Sequence, residues 1–195
     1  MLRNGLKIIV CLFVASALTA CCFAATESKV VDVKAYVPQQ SGLNITVSKV
    51  VGSVWTSGQT NIDFGSLIYD LQNNIFTGTS YYAVDIGVHS NAVNWQIKHE
   101  TTPVTNGSEK LDENINVVFM KQIDSNNASE LLKVNFAESN GQVFSKAQLS
   151  GAWLRIYYGL ATGRAGEDAA SAKPIGPSQK FGSYQGTIKI TLTEN

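Results

Sequence analysis

The sequence predicts an all-β fold, an antiparallel sandwich or barrel of about eight or nine short strands. After the first two dozen residues, apolar residues alternate with polar ones in stretches bounded by Gly, Asn, Ser and Pro, and this period of two is typical of half-buried strands. No stretch carries a helix-period stripe of useful length. An antiparallel sheet can bury one face and expose the other, so two such sheets closing over a shared core account for the pattern.

The N-terminus has the composition of a secretory signal. Arg3 and Lys7 give it a positive start, Ile8 to Leu18 is an almost unbroken apolar run, and small residues follow. The run is shorter than the ~20 apolar residues of a membrane-spanning helix. We therefore predict a signal peptide over 1–24 and a single β-sandwich domain over 25–195, with no transmembrane segment in the mature chain.

Two kinds of processing fit the end of this leader. Small residues at Cys22 and Ala24 allow ordinary cleavage before Ala25. The sequence Leu-Thr-Ala-Cys over 18–21 instead resembles the lipobox of bacterial lipoproteins, which would place a lipid anchor on Cys21. All three cysteines of the chain lie in the leader, so ordinary cleavage leaves no thiol, no disulfide and no cysteine metal site.

The charge composition of the chain does not favour nucleic acid as a binding partner. The chain has 15 basic and 15 acidic residues, and removing the leader takes away basic residues but no acidic one. The mature chain is therefore slightly negative, and no basic patch favours nucleic acid. Without disulfides, such a domain must be held together by burial of a hydrophobic core.

The predicted strands of the first half are short and end at turn residues. They are Val31 to Val37, ended by Pro38; Leu43 to Val47; Ile62 to Phe64, ended by Gly65; and Tyr82 to Val88, with Val93 to Ile97 as its hairpin mate across Ser90-Asn91.

The second half continues the same alternation up to a closing strand. Its predicted strands are Ile115 to Met120, Leu131 to Phe136, Trp153 to Tyr158 and Thr187 to Thr193. One helical turn each is expected at Asp124 to Glu130 and Ser145 to Ser150, and a long exposed loop at Ala161 to Lys180. We expect the structural core to include Phe64, Ile86, Trp95, Ile188, Ile190 and Leu192.

Four short motifs follow one another in an order that resembles WxL-domain bacterial surface proteins. That family has an xDFG strand, a strand entering a W-x-L sequence, and a closing Y-x-G-x-ϕ-x-W-x-L strand. The matching motifs here are Ile62-Asp63-Phe64-Gly65, Val84-Asp85-Ile86-Gly87, Asn94-Trp95-Gln96-Ile97 and Tyr184 to Leu192. This chain has Trp-Gln-Ile at 95–97 and Ile-Thr-Leu at 190–192 where the family has its W-x-L sequences.

The closing strand is also similar to those of fimbrial pilins and spore-coat-U-like secreted subunits. Those proteins end in a Gly-Tyr-x-Gly-x-ϕ-x-ϕ strand, and the matching residues are Gly182, Tyr184, Gly186, Ile188, Ile190 and Leu192. Both resemblances imply an immunoglobulin-like sandwich on a bacterial exterior.

No pattern of residues predicts catalysis or a cofactor. His89 and His99 are the two histidines, and neither Ser90 beside His89 nor Asp85 belongs to a nucleophile motif such as G-x-S-x-G. The acidic residues lack the alternating spacing of a calcium-binding loop, and two histidines without cysteines do not make a zinc site. We therefore expect a non-catalytic protein with no cofactor and no metal.

One strand offers two bulky faces. Trp153, Arg155 and Tyr157 alternate with three large apolar residues. Packing of a central strand, with Arg stacked on its outer side, explains this pattern. An aromatic platform that contacts a ligand explains it as well, since Trp, Tyr and Arg are favoured in contact surfaces. Both interpretations stay open at this stage.

These observations predict an exported bacterial surface protein, located in the periplasm or on the cell exterior. The main hypothesis is a structural or adhesive subunit, pilin-like or coat-like, that contacts envelope components or other subunits and self-assembles through its Lys29 to Val37 strand. The alternative is a monomeric module that binds cell-wall or other carbohydrates through Trp55, Trp153 and Tyr157.

Overall fold

β-strands make up nearly all the regular structure in residues 34–195, the part of the chain that this computed structural model describes. The strands are β1 (Leu43–Val51), β2 (Val54–Gln59), β3 (Ile68–Asp70), β4 (Ile75–Thr77), β5 (Tyr81–Val88), β6 (Trp95–Asn106), β7 (Glu109–Lys110), β8 (Ile115–Gln122), β9 (Ala128–Asn135), β10 (Gln142–Ser145), β11 (Trp153–Leu160) and β12 (Gln185–Glu194). A 3-10 turn covers Asp112–Asn114 and one short helix, α1, covers Lys146–Leu149. Pro38–Asn195 form one compact unit.

Two main antiparallel sheets contain most of the strands. The first has six strands in the order β2-β1-β5-β11-β8-β9, and the second has the order β10-β6-β12, with β7 also paired to β6. Strands β3 and β4 form a separate hairpin. At the β1–β2 turn Gly52 has a φ of 58°, the conformation that a type II′ turn requires at its first central position.

The core lies between the inner faces of the two main sheets. Phe119 of the first sheet and Phe144 of the second have ring centroids 4.9 Å apart. Fourteen buried residues form one cluster. They are Tyr82, Val84, Ile86, Trp95, Ile97, Ile115, Val117, Phe119, Phe136, Phe144, Leu149, Leu154, Ile156 and Tyr158. The predicted core residues Ile86 and Trp95 belong to this cluster, and the other four predicted ones, Phe64, Ile188, Ile190 and Leu192, are partly buried against it.

The predicted all-β antiparallel sandwich is confirmed. Residues 34–195 contain twelve strands, whereas eight or nine were expected. The prediction lacks β2, β3, β4, β7 and β10, of which β3, β4 and β7 have only two or three residues each. The immunoglobulin-like arrangement stays a prediction. The predicted leader over 1–24 and residues Val31 to Val33 of the first predicted strand lie outside the described residues, and Lys34 to Val37 are exposed and belong to no strand.

The predicted hairpin between Tyr82–Val88 and Val93–Ile97 is wrong. Strand β5 is paired on one side with β1 and on the other with β11, so it has no free edge for a third strand. The chain leaves β5 at Val88 and enters the second sheet at Trp95, and Val93 between them is 81% exposed.

The predicted strand over Ile62–Phe64 is also wrong, although its side chains point to the core. Ile62 and Phe64 are partly buried against the core cluster. The backbone between them is held by a side chain, because the Tyr82 hydroxyl donates to the Asp63 carbonyl at 2.6 Å. The two apolar side chains therefore reach the core from a segment that pairs with no strand, so their alternation does not indicate a strand here.

Of the two predicted helical turns one is present and one is absent, and local polar contacts explain both outcomes. Over Ser145–Ser150 the turn is present as α1, with a capping box between Ser145 and Gln148. Over Asp124–Glu130 it is absent, because the Asp124 carboxylate accepts the amides of Asn126 and Asn127 in a tight turn.

The loop after β11 has no strands, as expected, but it is not simply exposed. Ala161, Ala169 and Ile175 are buried. The Ile175 carbonyl accepts the Phe76 amide of β4 at 2.8 Å. This loop therefore packs on the molecule and carries part of its interior.

Candidate functional site

The outward face of the six-stranded sheet carries a cluster of large side chains, which we call the aromatic face: Trp55, Tyr81, Trp153, Arg155 and Tyr157. Directly paired residues of neighbouring strands share a face of the sheet. Arg155 pairs with Asp85, and Val50 pairs with both Tyr81 and Trp55. The inward partners on the same strand, Leu154, Ile156 and Tyr158, are buried in the core.

An ion pair fixes the centre of the aromatic face. Arg155 Nε donates to Asp85 Oδ1 at 2.6 Å and Arg155 Nη2 donates to Asp85 Oδ2 at 2.9 Å. Trp153 Nε1 donates to Asp85 Oδ1 at 3.1 Å. The bond to Asp85 raises the pKa of Arg155. These polar groups are therefore satisfied within the protein, and their role is to hold the neighbouring rings.

The rings pack edge to face around this pair. Tyr157 lies 6.4 Å from Trp55 and 5.9 Å from Tyr81, measured between ring centroids. The Arg155 guanidinium lies 5.1 Å from the Trp55 ring centre, within the range of cation–π attraction. The inner residues thus fill the core, as the packing interpretation predicts, and the outer residues form an ordered face. Contact of that face with a ligand stays a prediction.

Two shallow depressions open beside the aromatic face. The larger has a volume of about 370 Å³ and is lined by Tyr81, Asn116, Val118, Met120, Tyr157, Tyr158 and Gly159. The smaller has about 200 Å³ and is lined by Thr77, Gly78, Thr79, Ser80, Tyr81, Gly159, Leu160, Ala161 and Thr162. They meet at Tyr81 and Gly159, which line both.

Sequence reasoning identified Trp55, Trp153, Arg155 and Tyr157 but missed Tyr81 and Gly159. The pair Tyr81-Tyr82 carried a usable signal, since consecutive strand residues face opposite sides and one ring must therefore point outward. Gly159 gave no such signal. A glycine within a strand can be recognised as the floor of a depression only when the large side chains around it are known.

The buried His99 links the two sheets. Its Nδ1 lies 2.8 Å from the Ser139 carbonyl and its Nε2 lies 2.8 Å from the Tyr158 hydroxyl. A carbonyl oxygen only accepts, so Nδ1 carries the proton and Nε2 accepts from Tyr158. Burial lowers the pKa of His99, which keeps the ring neutral. These contacts assign His99 a structural role.

The side chains of His89, Ser90 and Asp85, the hydrolytic set considered above, share no hydrogen bond among the described residues. Asp85 is engaged by Arg155 and Trp153, and Ser90 Oγ accepts the Ala92 amide at 3.0 Å. Within residues 34–195, no group of three His, Cys, Asp or Glu side chains could hold a metal ion. The helical segments that the structure describes include none long and apolar enough to cross a bilayer.

Comparison with known protein families, curated proteins and solved structures finds no match to this chain.

Proposed function

We propose that this protein is exported and serves as a structural subunit of a bacterial cell surface, assembling by strand addition at β12. The observation that carries the proposal is the open edge of this strand. Over its ten residues β12 pairs with β6 on one side, and no hydrogen bond among residues 34–195 joins the other side to a further strand. Such an edge is a template for an added strand.

The inward side chains of β12 support addition at this edge. Ile188, Ile190 and Leu192 are only partly buried against the core. A strand added beside β12 would cover more of their apolar surface, at about 25 cal/mol for each Å² removed from water. The added strand needs small or medium apolar residues at every second position.

The N-terminal segment Lys29 to Val37 meets this requirement. It carries Val31, Val33, Ala35 and Val37 at alternate positions. Its end is available, since Tyr36 is 88% and Val37 77% exposed. At ~3.3 Å per residue, nine residues span about 30 Å, close to the length of β12.

Direction favours a segment from a neighbouring molecule. Gln39 Nε2 donates to Glu194 Oε2 at 2.9 Å, so the chain enters the sandwich beside the end of β12. A molecule's own segment laid along β12 would therefore run parallel to it. A neighbour's segment is free to run antiparallel, and antiparallel pairing is slightly more stable per residue.

The two edges of the six-stranded sheet, β9 and β2, are less suited to strand addition. The Asn135 amide of β9 is bonded to Ser171 Oγ at 3.2 Å, and Lys133 reaches the Gly166 carbonyl at 2.9 Å, so the loop after β11 covers part of that edge. Strand β2 has six residues and contains Gly58 with a φ of 82°, which interrupts regular pairing.

Disulfide trapping tests the edge directly, because a chain cleaved before Ala25 has no cysteine of its own. One preparation carries Tyr36→Cys and a second carries Lys189→Cys on β12. Mixing them should give a covalent dimer on a non-reducing gel.

A control and a deletion complete the test. In the control, the second preparation carries Ser129→Cys on β9 in place of the cysteine on β12. Deleting residues 25–37 should abolish assembly. Equal trapping by the control, or unchanged assembly after the deletion, would refute strand addition at β12.

Export and anchoring are tested on protein from the producing cell. Intact-mass measurement of the envelope fraction should show a chain beginning at Ala25, or a lipid-modified chain beginning at Cys21. Full-length protein that stays in the cytoplasm would contradict the proposed location.

A further inference from the structure

We propose that the two depressions on the outer sheet face form one groove that binds a neutral saccharide chain. The groove runs across Tyr81 and Gly159, which line both depressions, with Tyr157 and Val118 at one end and Ser80 and Thr162 at the other. This binding activity goes beyond subunit assembly and does not depend on it, because the groove lies on β5, β8 and β11 and not on β12.

The shape of the groove follows from the missing side chain of Gly159. The residue lies between Tyr81 and Tyr157, and any larger side chain would fill the floor that both depressions share. The larger depression, of about 370 Å³, falls within the range of ligand sites, roughly 300–1,000 Å³. The depression is open to solvent and continues into the smaller one at Tyr81 and Gly159, which leaves room for a ligand of more than one ring.

The aromatic end is held rigidly. Tyr157 is wedged between Trp55 and Tyr81 at centroid distances of 6.4 Å and 5.9 Å, and Arg155, itself fixed by Asp85, packs on the Trp55 ring. Rings ordered before binding lose little conformational entropy when a ligand arrives. The apolar C–H faces of sugar rings pack well on such surfaces.

The polar end offers hydroxyl groups and no charge. Ser80 is 9% exposed, and its buried hydroxyl has no hydrogen-bond partner among the described residues. Thr79 lines the same depression. Thr77 and Thr162 also line it, but their hydroxyls donate to the Ile68 carbonyl and to the Asp168 carboxylate. Within residues 34–195, no Asp, Glu, Lys or Arg lines either depression, and burial raises the pKa of Tyr81, which stays neutral. A neutral lining favours a neutral, hydroxyl-bearing ligand.

The backbone of the floor argues against an extended peptide as the occupant. Strands β5, β11 and β8 are interior strands of the six-stranded sheet, paired on both sides. Their amide and carbonyl groups are therefore used within the sheet, whereas peptides that bind as strands need a free edge. Sugar hydroxyls can bond to side chains alone.

Calorimetry with neutral oligosaccharides tests the proposal on the chain 25–195. The probes are hexamers of β-1,4-glucose, β-1,3-glucose and N-acetylglucosamine, with hyaluronan as the charged comparison. At least one neutral hexamer should bind, hyaluronan should not, and Tyr157→Ala should weaken binding at least tenfold, on the order of 1.4 kcal/mol.

Two variants separate the groove from effects on folding. A Cβ at Gly159 would lie 3.5 Å from Tyr81 Cβ, an ordinary contact, so Gly159→Val should fold and block binding. Ser80→Ala keeps the shape of the groove and should weaken binding several-fold. The matched control is Phe181→Ala, an exposed ring outside the groove, which should bind as wild type.

The outcomes are decisive in both directions. Failure of every neutral hexamer, or binding that survives Gly159→Val unchanged, would overturn the proposal, as would preference for hyaluronan. Deleting residues 25–37 should leave saccharide binding intact even if it abolishes assembly, so failure of one proposal is distinguishable from failure of the other.

Discussion

At the scale of single residues, the polar contacts of the aromatic face determine how firmly its rings are held. Asp85 is the common partner of Arg155 and Trp153. Its side chain is 26% exposed and that of Arg155 is 15% exposed. A charge pair so far removed from water depends on both partners being present, because either one alone would be desolvated without compensation.

Replacing Asp85→Ala should destabilise the protein by about 2 kcal/mol. The loss leaves the Arg155 guanidinium partly buried with no carboxylate. Urea unfolding followed by circular dichroism measures the change. The control is Glu113→Ala, which removes a solvent-exposed pair with Lys173 and should leave the midpoint unchanged. Similar midpoints for both variants would show that the Asp85 pair contributes no more than a surface pair.

His99 should make the protein less stable in mild acid. Burial lowers its pKa below the ordinary value of 6.5 in the folded state. As pH falls below 6.5 the unfolded chain therefore binds the proton first, and the free energy of unfolding decreases by up to about 1.4 kcal/mol per pH unit until the folded-state pKa is reached. Above pH 6.5 this histidine has no such effect.

Urea midpoints between pH 7.5 and pH 5 measure this dependence. His99→Gln should flatten the curve over that range, because it removes the buried imidazole that resists protonation. A wild-type curve that is already flat would contradict the buried neutral state of His99.

At the scale of elements, the closing strand depends on one glycine. A Cβ at Gly186 would lie 2.8 Å from Val104 Cγ2, 2.9 Å from the Thr102 carbonyl oxygen and 3.0 Å from that of Pro103. Two of these atoms belong to the backbone of β6, which cannot move without disturbing the sheet. The register of β12 against β6 also shifts at this point, between Gln185 and Thr187.

Gly186→Ala should therefore lower stability by about 1–3 kcal/mol and loosen the start of β12. Hydrogen exchange at the amides of Ile188 and Ile190 would report the loosening. Gly176→Ala is the control, since a Cβ there meets no atom within 4 Å. Wild-type exchange rates in Gly186→Ala would mean that the strand adapts more easily than these distances imply.

Alternation predicted the long strands because each has one face on the core. The same signal cannot tell which strands pair, since pairing depends on which edges remain free. For this reason Val93–Ile97 was predicted to pair with Tyr82–Val88, the strand that precedes it along the chain. Strand β2 escaped prediction because all but one of its residues are exposed, so it has little alternation to detect. Of the candidate site, the bulky residues were predictable and the depression at Gly159 was not.

At the scale of the whole molecule, the core belongs to the unit Pro38–Asn195. The core cluster and the partly buried apolar residues packed against it begin at Leu43. A chain that starts at Pro38 should therefore unfold at the same temperature as the chain 25–195 kept monomeric by dilution, within about 2 °C. Calorimetric scans would check this. A markedly lower midpoint would mean that the N-terminal segment contributes to folding of the single molecule.

The contact between Gln39 and Glu194 has a consequence for engineering. It brings both ends of the sandwich to one place, together with the Asn195 amide bonded to the Asn94 carbonyl. A short glycine-rich bridge can therefore close the polypeptide into a ring, and new termini can be opened at the exposed turn around Gly52 without cutting the core. Such a circular permutant should fold, and its new termini at the β1–β2 turn would offer an attachment point for passenger proteins on the six-stranded sheet, whereas β12 belongs to the other main sheet.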